Sequence, residues 1–224
     1  MRVWDATLDV LLAGRCAGCG APGRTLCPGC RSALAGERPW RVELPVPVVA
    51  AHEYRDPVRG LVVAYKERGA WTLAGPLGRR LAIAAARVWG GAGPPAPLTV
   101  VPVPSRAEAV RERGLDTTLH LSRMAVGVLR RSTGVPVRVV AALRIAGQVE
   151  DQAGLDTAGR RANVAGAFRA RPLPDGLPAV LVDDVCTTGA TLGEAVRAAR
   201  AAGWDPLGAA VVAAVRLRSD ASRS

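Results

Sequence analysis

The chain has 224 residues, of which 49% are hydrophobic and 22% are charged. This composition is typical of a globular protein and excludes general disorder. No apolar run approaches the roughly 18 residues that a membrane span requires. Asp5 and Asp9 interrupt the N-terminal segment where a signal peptide would be apolar. We therefore expect a cytoplasmic protein without a membrane span.

The formal net charge is +11, and Lys66 is the one lysine among 30 basic residues. A large basic excess favours non-specific binding of nucleic acid, because bound cations release counterions from the phosphate backbone. A general preference for arginine over the whole surface explains the same charge without any partner. Single- or double-stranded DNA is therefore a candidate partner that the charge alone does not establish.

Four of the five cysteines are clustered near the N terminus, as the pairs Cys16/Cys19 and Cys27/Cys30. Two Cys-x-x-Cys pairs suit tetrahedral zinc, and the glycines beside them allow tight turns that direct backbone N–H groups at the sulfurs. Two disulfides are the alternative, which an oxidising compartment would favour. We expect structural zinc in a small separate module. Loss of the zinc should unfold this module and leave the rest of the chain folded.

Proline- and glycine-rich stretches suggest how the chain is divided. We predict an amphipathic N terminus and zinc module at 1–35, a linker with three prolines at 36–48, a main domain at 49–218 and a disordered tail at 219–224.

Strand-like and helix-like patterns alternate in the main domain. The predicted strands are 98–104, 135–143, 179–182 and 206–215. One predicted helix begins after Asp116 as its N-cap, with Leu121, Met124, Ala125 and Val128 on one face, and another covers 191–202. Such alternation predicts an α/β fold with a parallel sheet flanked by helices. Ligands of these sheets bind beyond the carboxyl ends of the strands, so the loops after Pro104 and Val182 should meet at one site.

The segment AVLVDDVCTTGATLG, at 179–193, has the clearest chemical signal. It places a loop rich in hydroxyl and amide groups at the N terminus of a helix, which favours a phosphate. Asp183 and Asp184 would be costly as buried unpaired charges, so we expect them to face hydroxyl groups or a metal-bound ligand. A solvated acidic turn that caps the helix is the alternative.

The same segment resembles the phosphoribosyl pyrophosphate (PRPP) binding motif of the type I phosphoribosyltransferases. The resemblance implies that Asp183 and Asp184 bind the ribose hydroxyls of PRPP. It also implies that the 5-phosphate is held by Thr187, Thr188, Gly189, Ala190 and Thr191. Mg²⁺ would be bound by the pyrophosphate of the substrate. A nitrogen acceptor would then receive the phosphoribosyl group, and pyrophosphate would be released.

Further segments narrow the resemblance to one branch. The paired Cys-x-x-Cys motifs, VVAYKERG, VPVPSRAEAVRERG and QAGLDTAGRRANVAGAF are together similar to the ComF family, which includes competence-associated bacterial proteins. A partner in the competence machinery is therefore a further expectation. The segment RGLDTT departs from the Arg-Gly-Phe-Asn-Gln common in that family, so Asp116 and Thr117 replace its amide side chains.

Three more residues complete the predicted substrate site. Ser105 and Arg106 follow a strand and should form the pyrophosphate loop, where the planar guanidinium suits phosphate oxygens. Lys66 would supply a compact mobile charge. Gln152, Arg160 and Asn163 lie in a long polar stretch that would cover the site. No residue stands out as a general base, so the alternative function is a non-catalytic PRPP sensor or a DNA-binding accessory protein in DNA uptake.

Overall fold

The computed structural model describes residues 14–42, 44, 47–91, 96–146, 165–173 and 176–216. Three sequence predictions lie outside this part of the chain. They concern the amphipathic segment before residue 14, the tail at 219–224, and the loop residues Gln152, Arg160 and Asn163.

The helices in the described residues are α1 (Pro28–Gly36), α2 (Val58–Glu67), α3 (Ala74–Gly90), α4 (Ala107–Arg113), α5 (Thr117–Thr133) and α6 (Ala190–Ala201), with a 3₁₀ turn at Trp71–Leu73. The strands are β1 (Trp40–Val42), β2 (Val48–Glu53), β3 (Leu98–Pro102), β4 (Val137–Val139), β5 (Leu143–Ile145), β6 (Phe168–Ala170), β7 (Ala179–Cys186) and β8 (Gly208–Ala214). None of the helices in the described ranges is both long and apolar enough to cross a membrane.

The main sheet has the strand order β1-β2-β8-β7-β3-β4 within the described residues. Strand β1, which falls inside the segment predicted as a linker, is antiparallel to β2, and the other neighbours are parallel. All residues of β8 are buried, as expected for a parallel strand covered on both faces. The predicted α/β fold with a mostly parallel sheet flanked by helices is confirmed.

Alternate residues of the central strands enter two hydrophobic cores on opposite faces of the sheet. Val180 and Val182 of β7 face the core that α2, α3 and α5 cover. Leu181 lies in the second core, with Leu192 and Val196 of α6. The side-chain period of two in a strand produces this division.

The cysteine module shares the first of these cores. Cys16, Leu26, Cys30 and Leu34 are buried in the same cluster as Leu61 of α2. The module therefore packs directly against the sheet domain, whereas the sequence had suggested a separate unit.

A buried polar network makes a second attachment between α1 and the sheet domain. The Nε–H of Arg80 donates to His52 Nε2 at 2.8 Å, and the guanidinium also donates to the carbonyls of Ala35 and Glu37. The other ring nitrogen of His52 lies 2.9 Å from Glu37 Oε2. Burial lowers the pKa of His52 although Glu37 acts in the opposite direction, so the ring is neutral and its Nδ1–H donates to Glu37.

The predicted strands 98–104 and 206–215 differ from β3 and β8 by at most two residues at either end, whereas the other two predicted strands differ more. The predicted strand 135–143 is divided into β4 and β5, because the Ala142 N–H donates to the Val140 carbonyl and turns the chain out of the main sheet. Strand β5 pairs instead with β6. The predicted end of β7 at Val182 is wrong, since its ladder with β8 continues to the pair Cys186 and Ala214.

Met124 was expected on the buried stripe of α5 but is 38% exposed. Its Cβ faces Gly78, where a Cβ would come within 2.5 Å of it. The close approach of α3 and α5 leaves no room beside Gly78, so the rest of the Met124 side chain extends outward.

Candidate functional site

A cleft of about 900 Å³ opens at the carboxyl edge of the sheet, where β3 and β7 end. A recess of about 30 Å³ adjoins it at the N terminus of α6. All of the substrate-site residues predicted from the sequence line one or the other. Lys66, Ser105, Arg106, Asp183, Asp184, Thr187 and Thr191 line the cleft, and Thr188, Gly189 and Ala190 line the recess.

The recess is formed by the turn between β7 and α6. Gly189 is the N-cap of α6 with φ +76°, a left-handed conformation that favours glycine. The hydroxyl of Thr188 accepts from the Ala190 N–H at 3.4 Å. The first amides of a helix have no partner within the helix, and its dipole is positive at this end. The recess therefore has the local chemistry of an anion site.

The two adjacent aspartates lie within β7. The Asp183 carboxylate accepts from the Asp184 N–H at 2.8 Å, and Asp184 Oδ1 accepts from the Val185 N–H at 2.7 Å. Lys66 Nζ lies 2.8 Å from Asp184 Oδ2. This buried oxygen has no further hydrogen-bond partner among the described residues. Lys66 is thus the cation that offsets the buried carboxylate.

The charges of these three residues depend on one another. Burial and the neighbouring Asp184 raise the pKa of Asp183 to about 8, although Lys66 acts to lower it. Burial would lower the pKa of Lys66, but the carboxylates of Asp184 and Asp183 outweigh it, so the pKa is raised and the ammonium stays charged. The site therefore keeps one cation against two carboxyl groups, and one of these retains a proton near neutral pH.

The loop after β3 forms the wall opposite the recess. The Ser105 hydroxyl donates to Asp116 Oδ1 at 3.0 Å, and the same oxygen accepts from the Leu119 N–H at 3.0 Å. Asp116 is therefore the N-cap of α5, as predicted, and it also holds Ser105. Arg106 is the N-cap residue of α4 and lines the cleft.

Several cleft residues were not identified from the sequence. Glu67 of α2 accepts from Arg113 of α4 at 3.0 Å, which joins the two helices across the cleft mouth. Tyr54, Val62, Glu112 and Thr118 also line it. Their residue types carry no local motif, and they lie on four different parts of the chain, so only the tertiary packing brings them to the site.

Cys186 ends β7 beneath the recess and is buried. Burial and the nearby Asp183 raise the pKa of its thiol to about 11. The side chain is therefore a neutral thiol that fills space.

The four N-terminal cysteines form a compact cluster. Their sulfur atoms all lie within 4.8 Å of one another, and Cys19 Sγ is 3.7 Å from Cys27 Sγ. Zn–S bonds of about 2.3 Å place neighbouring sulfurs about 3.8 Å apart in a tetrahedron. The cysteines are free thiols, not disulfides. The cluster can therefore hold zinc.

Backbone amides prepare the cluster for a metal. The Cys27 N–H donates to Cys16 Sγ, and the Cys30 N–H donates to Cys27 Sγ, each at 3.4 Å. Burial alone would raise the pKa of Cys16, but hydrogen bonds from the Cys27, Cys19 and Gly18 amides lower it to about 6. Cys16 is thus present as the thiolate, the form that binds metal.

The cleft is also compatible with Mg²⁺. Its carboxylate and hydroxyl oxygens are the donor type that this ion prefers. Mg²⁺ keeps several waters and is commonly carried by substrate phosphates, so these oxygens would suit an ion that arrives with a phosphate ligand.

The family comparison agrees with this geometry. No match was found among curated proteins. A family model described as "Phosphoribosyl transferase domain" matches residues 67–223. The matched segment contains the loop after β3, the acidic pair and the whole recess. It begins after the cysteine cluster and after Lys66. The match covers more than half of the chain and includes the acidic pair and the helix-capped recess, so the chain belongs to the phosphoribosyl transferase domain family.

Proposed function

We propose that this protein binds PRPP in the cleft and transfers its phosphoribosyl group to a nitrogen acceptor, with release of pyrophosphate. The observation that carries the proposal is the acidic pair beside an anion recess in one cleft. Mg²⁺ bound to the pyrophosphate would neutralise charge on the leaving group. Every other contribution comes from the side chains and backbone of the chain.

Each part of the cleft suits one part of PRPP. The amides and hydroxyls of the turn at 187–191 suit the 5-phosphate. Asp183 and Asp184 suit the ribose hydroxyls, because an ionised carboxyl group accepts strong hydrogen bonds and a protonated one both accepts and donates them. Ser105 and Arg106 suit the pyrophosphate, and Lys66 offsets the charge of the acidic pair.

The reaction needs positioning and charge stabilisation more than covalent help from the protein. The bond from the anomeric carbon to the pyrophosphate oxygen breaks, and the pyrophosphate leaves with the electron pair. The acceptor nitrogen forms the new bond to that carbon and gives up its proton. The nearby carboxylates favour the positive charge that develops on the sugar.

We further propose that the protein is a member of the ComF family. The cysteine cluster supports this, because it lies outside the segment matched by the transferase domain and packs against α2 at the cleft wall. A cytoplasmic role in competence and DNA uptake, with a protein partner from that machinery, follows from the same assignment. A non-catalytic PRPP sensor or DNA-binding accessory protein is the second candidate, favoured by the net charge of +11.

Calorimetric titration with PRPP and Mg²⁺ tests the binding site. Asp183→Asn/Asp184→Asn should weaken binding by about 1–3 kcal/mol, because the amide oxygens still accept hydrogen bonds that contribute about 0.5–1.5 kcal/mol, against roughly 1.5–3 kcal/mol for hydrogen bonds to charged groups. Asp205→Asn is the matched control, because Asp205 is exposed and pairs with Arg200 away from the cleft. Equal affinity of the double variant and the wild type would reject the site, and no binding by the wild type would reject the ligand.

A screen of nitrogen bases for pyrophosphate release separates the two candidate functions. A transferase releases one pyrophosphate for each phosphoribosylated acceptor, whereas a sensor binds PRPP and leaves it intact. DNA binding that weakens steeply as salt rises would support the accessory role.

A further inference from the structure

Helix α2 connects the cysteine module to the cleft. Its first turn contacts the backbone between Cys16 and Cys19, and its last turn carries Lys66. Any shift of the helix relative to the sheet would therefore move the Lys66 ammonium relative to Asp184.

The contact at the first turn depends on Gly60. A Cβ at Gly60 would lie 2.7 Å from the Ala17 carbonyl oxygen and 3.2 Å from that of Gly18. Both neighbours are backbone atoms of the cysteine turn, so they cannot move aside as a flexible side chain would. Gly18 is similarly restricted, because a Cβ there would lie 3.0 Å from Pro57 Cβ. The first turn of α2 and the cysteine turn are therefore in close contact through their backbones.

The last turn of α2 is held by a second contact. Tyr65 is completely buried, and its hydroxyl lies 3.1 Å from the Thr117 carbonyl oxygen and 3.1 Å from His120 Nδ1. Both partners belong to α5, whose N-cap Asp116 holds the pyrophosphate-loop residue Ser105. Tyr65 thus ties the turn that carries Lys66 to the opposite wall of the cleft.

The location of the Lys66 ammonium matters for an anionic ligand. Without it, the Asp184 carboxylate would stand uncompensated beside a molecule that carries a phosphate and a pyrophosphate, and like charges repel. The buried Asp184 oxygen has the Lys66 contact at 2.8 Å and no other polar partner among the described residues. A small displacement of the ammonium would therefore leave a partly uncompensated charge at the ligand.

We propose that Gly60 and Tyr65 are positioning residues for the phosphoribosyl site. They hold α2 between the cysteine turn and α5, so that the Lys66 ammonium remains paired with the Asp184 carboxylate. The inference rests on the proposed function. It gives the cysteine module a role in PRPP binding through α2, although the module contributes no side chain to the cleft lining given above.

Calorimetry of PRPP with Mg²⁺ on the full zinc-loaded chain tests the proposal. Gly60→Ala should bind PRPP about tenfold more weakly, a size typical of coupling between sites, with zinc content unchanged. Tyr65→Phe keeps the ring and loses the hydroxyl, so it should fold even where Gly60→Ala does not and should bind about fivefold more weakly. Gly75→Ala is the matched control, since it also lies in the first turn of a helix but has open space for a Cβ. It should bind PRPP like the wild type.

The same variants in a Lys66→Met background separate positioning from a general structural effect. If they act through Lys66, neither Gly60→Ala nor Tyr65→Phe weakens binding further once the ammonium is absent. An equal loss in both backgrounds, or wild-type affinity in the folded variants, would overturn the proposal. If the wild type itself does not bind PRPP, the proposed function and this inference both fail. Wild-type binding with unaffected variants rejects the positioning role alone.

Discussion

Replacing Arg80 by methionine tests the buried network that joins α1 to the sheet domain. Arg80 is 6% exposed and donates to His52 Nε2 and to the carbonyls of Ala35 and Glu37. Methionine retains the apolar stem of the side chain and removes these donors. The His52 ring would then lose its partner in the interior, and the half-buried carbonyls at the end of α1 would lose their donor.

The expected loss follows from the contacts. Hydrogen bonds from a charged donor contribute about 1.5–3 kcal/mol each, while the methionine side chain recovers part of this by apolar burial. The Glu37 carboxylate also loses the favourable charge of the nearby guanidinium. From the three hydrogen bonds we expect Arg80→Met to lower the free energy of unfolding by about 3–5 kcal/mol, a large part of the roughly 5–15 kcal/mol of a typical domain.

Urea unfolding followed by circular dichroism measures this loss. Arg79→Met is the matched control, because the neighbouring Arg79 is exposed on the same helix, and exposed substitutions usually change stability by about 0.5 kcal/mol or less. A loss below about 1 kcal/mol for Arg80→Met, or equal losses for both variants, would show that the network does not hold α1 to the sheet.

Three further predictions concern the site and the cysteine cluster. Because the raised pKa of Asp183, about 8, lets the folded protein keep a proton that the unfolded chain releases, wild-type stability should fall as pH rises from about 4 to 8. The free energy of unfolding of Asp183→Asn should therefore exceed that of the wild type by about 1–3 kcal/mol at pH 9 and should equal it near pH 4, as measured by urea unfolding at each pH. A difference that is independent of pH would contradict this linkage. Zinc removal by a chelator should lower the main transition in scanning calorimetry, since Cys16 and Cys30 lie in the shared core, and an unchanged main transition would count against that packing. Gly189→Ala should cost about 1–2 kcal/mol of stability because of its positive φ and should weaken PRPP binding, whereas Gly193→Ala, with open space on α6, should do neither.

Short sequence motifs were sufficient to predict the metal-binding cysteines, the helix cap and the phosphate-binding turn. The spacing of the four cysteines, the N-cap at Asp116 and the order of strand, acidic pair, hydroxyl-rich turn and helix at 179–193 were all evident from neighbouring residues. Caps, tight turns and metal ligands act over a few positions, so their residue types directly indicate the local structure. The alternation of strands and helices likewise predicted the parallel sheet.

The ends of the strands could not be predicted as well from the sequence, because they depend on which strands pair. The ladder with β8 carries β7 through its two aspartates, although charged residues ordinarily end an apolar run. The bend after Val139 separates β4 from β5 by backbone hydrogen bonds that side-chain periodicity does not report. A polar residue can lie inside a strand when a neighbour satisfies its charge, as Lys66 does for Asp184.

The sequence by itself determined which residues could bind a phosphate, a ribose or a metal, because these capacities belong to the residue types and their immediate spacing. Only the tertiary structure decided which of them act together. The pairing of Lys66 with Asp184, the burial of Arg80 beside His52 and the packing of the cysteine turn on Gly60 join residues that are distant in the chain. Such contacts depend on how helices pack on the sheet, and a buried arginine runs against the usual exposure of that residue type. The physical reason is that charge compensation and close packing are set by distances in three dimensions, which no local pattern of residues contains.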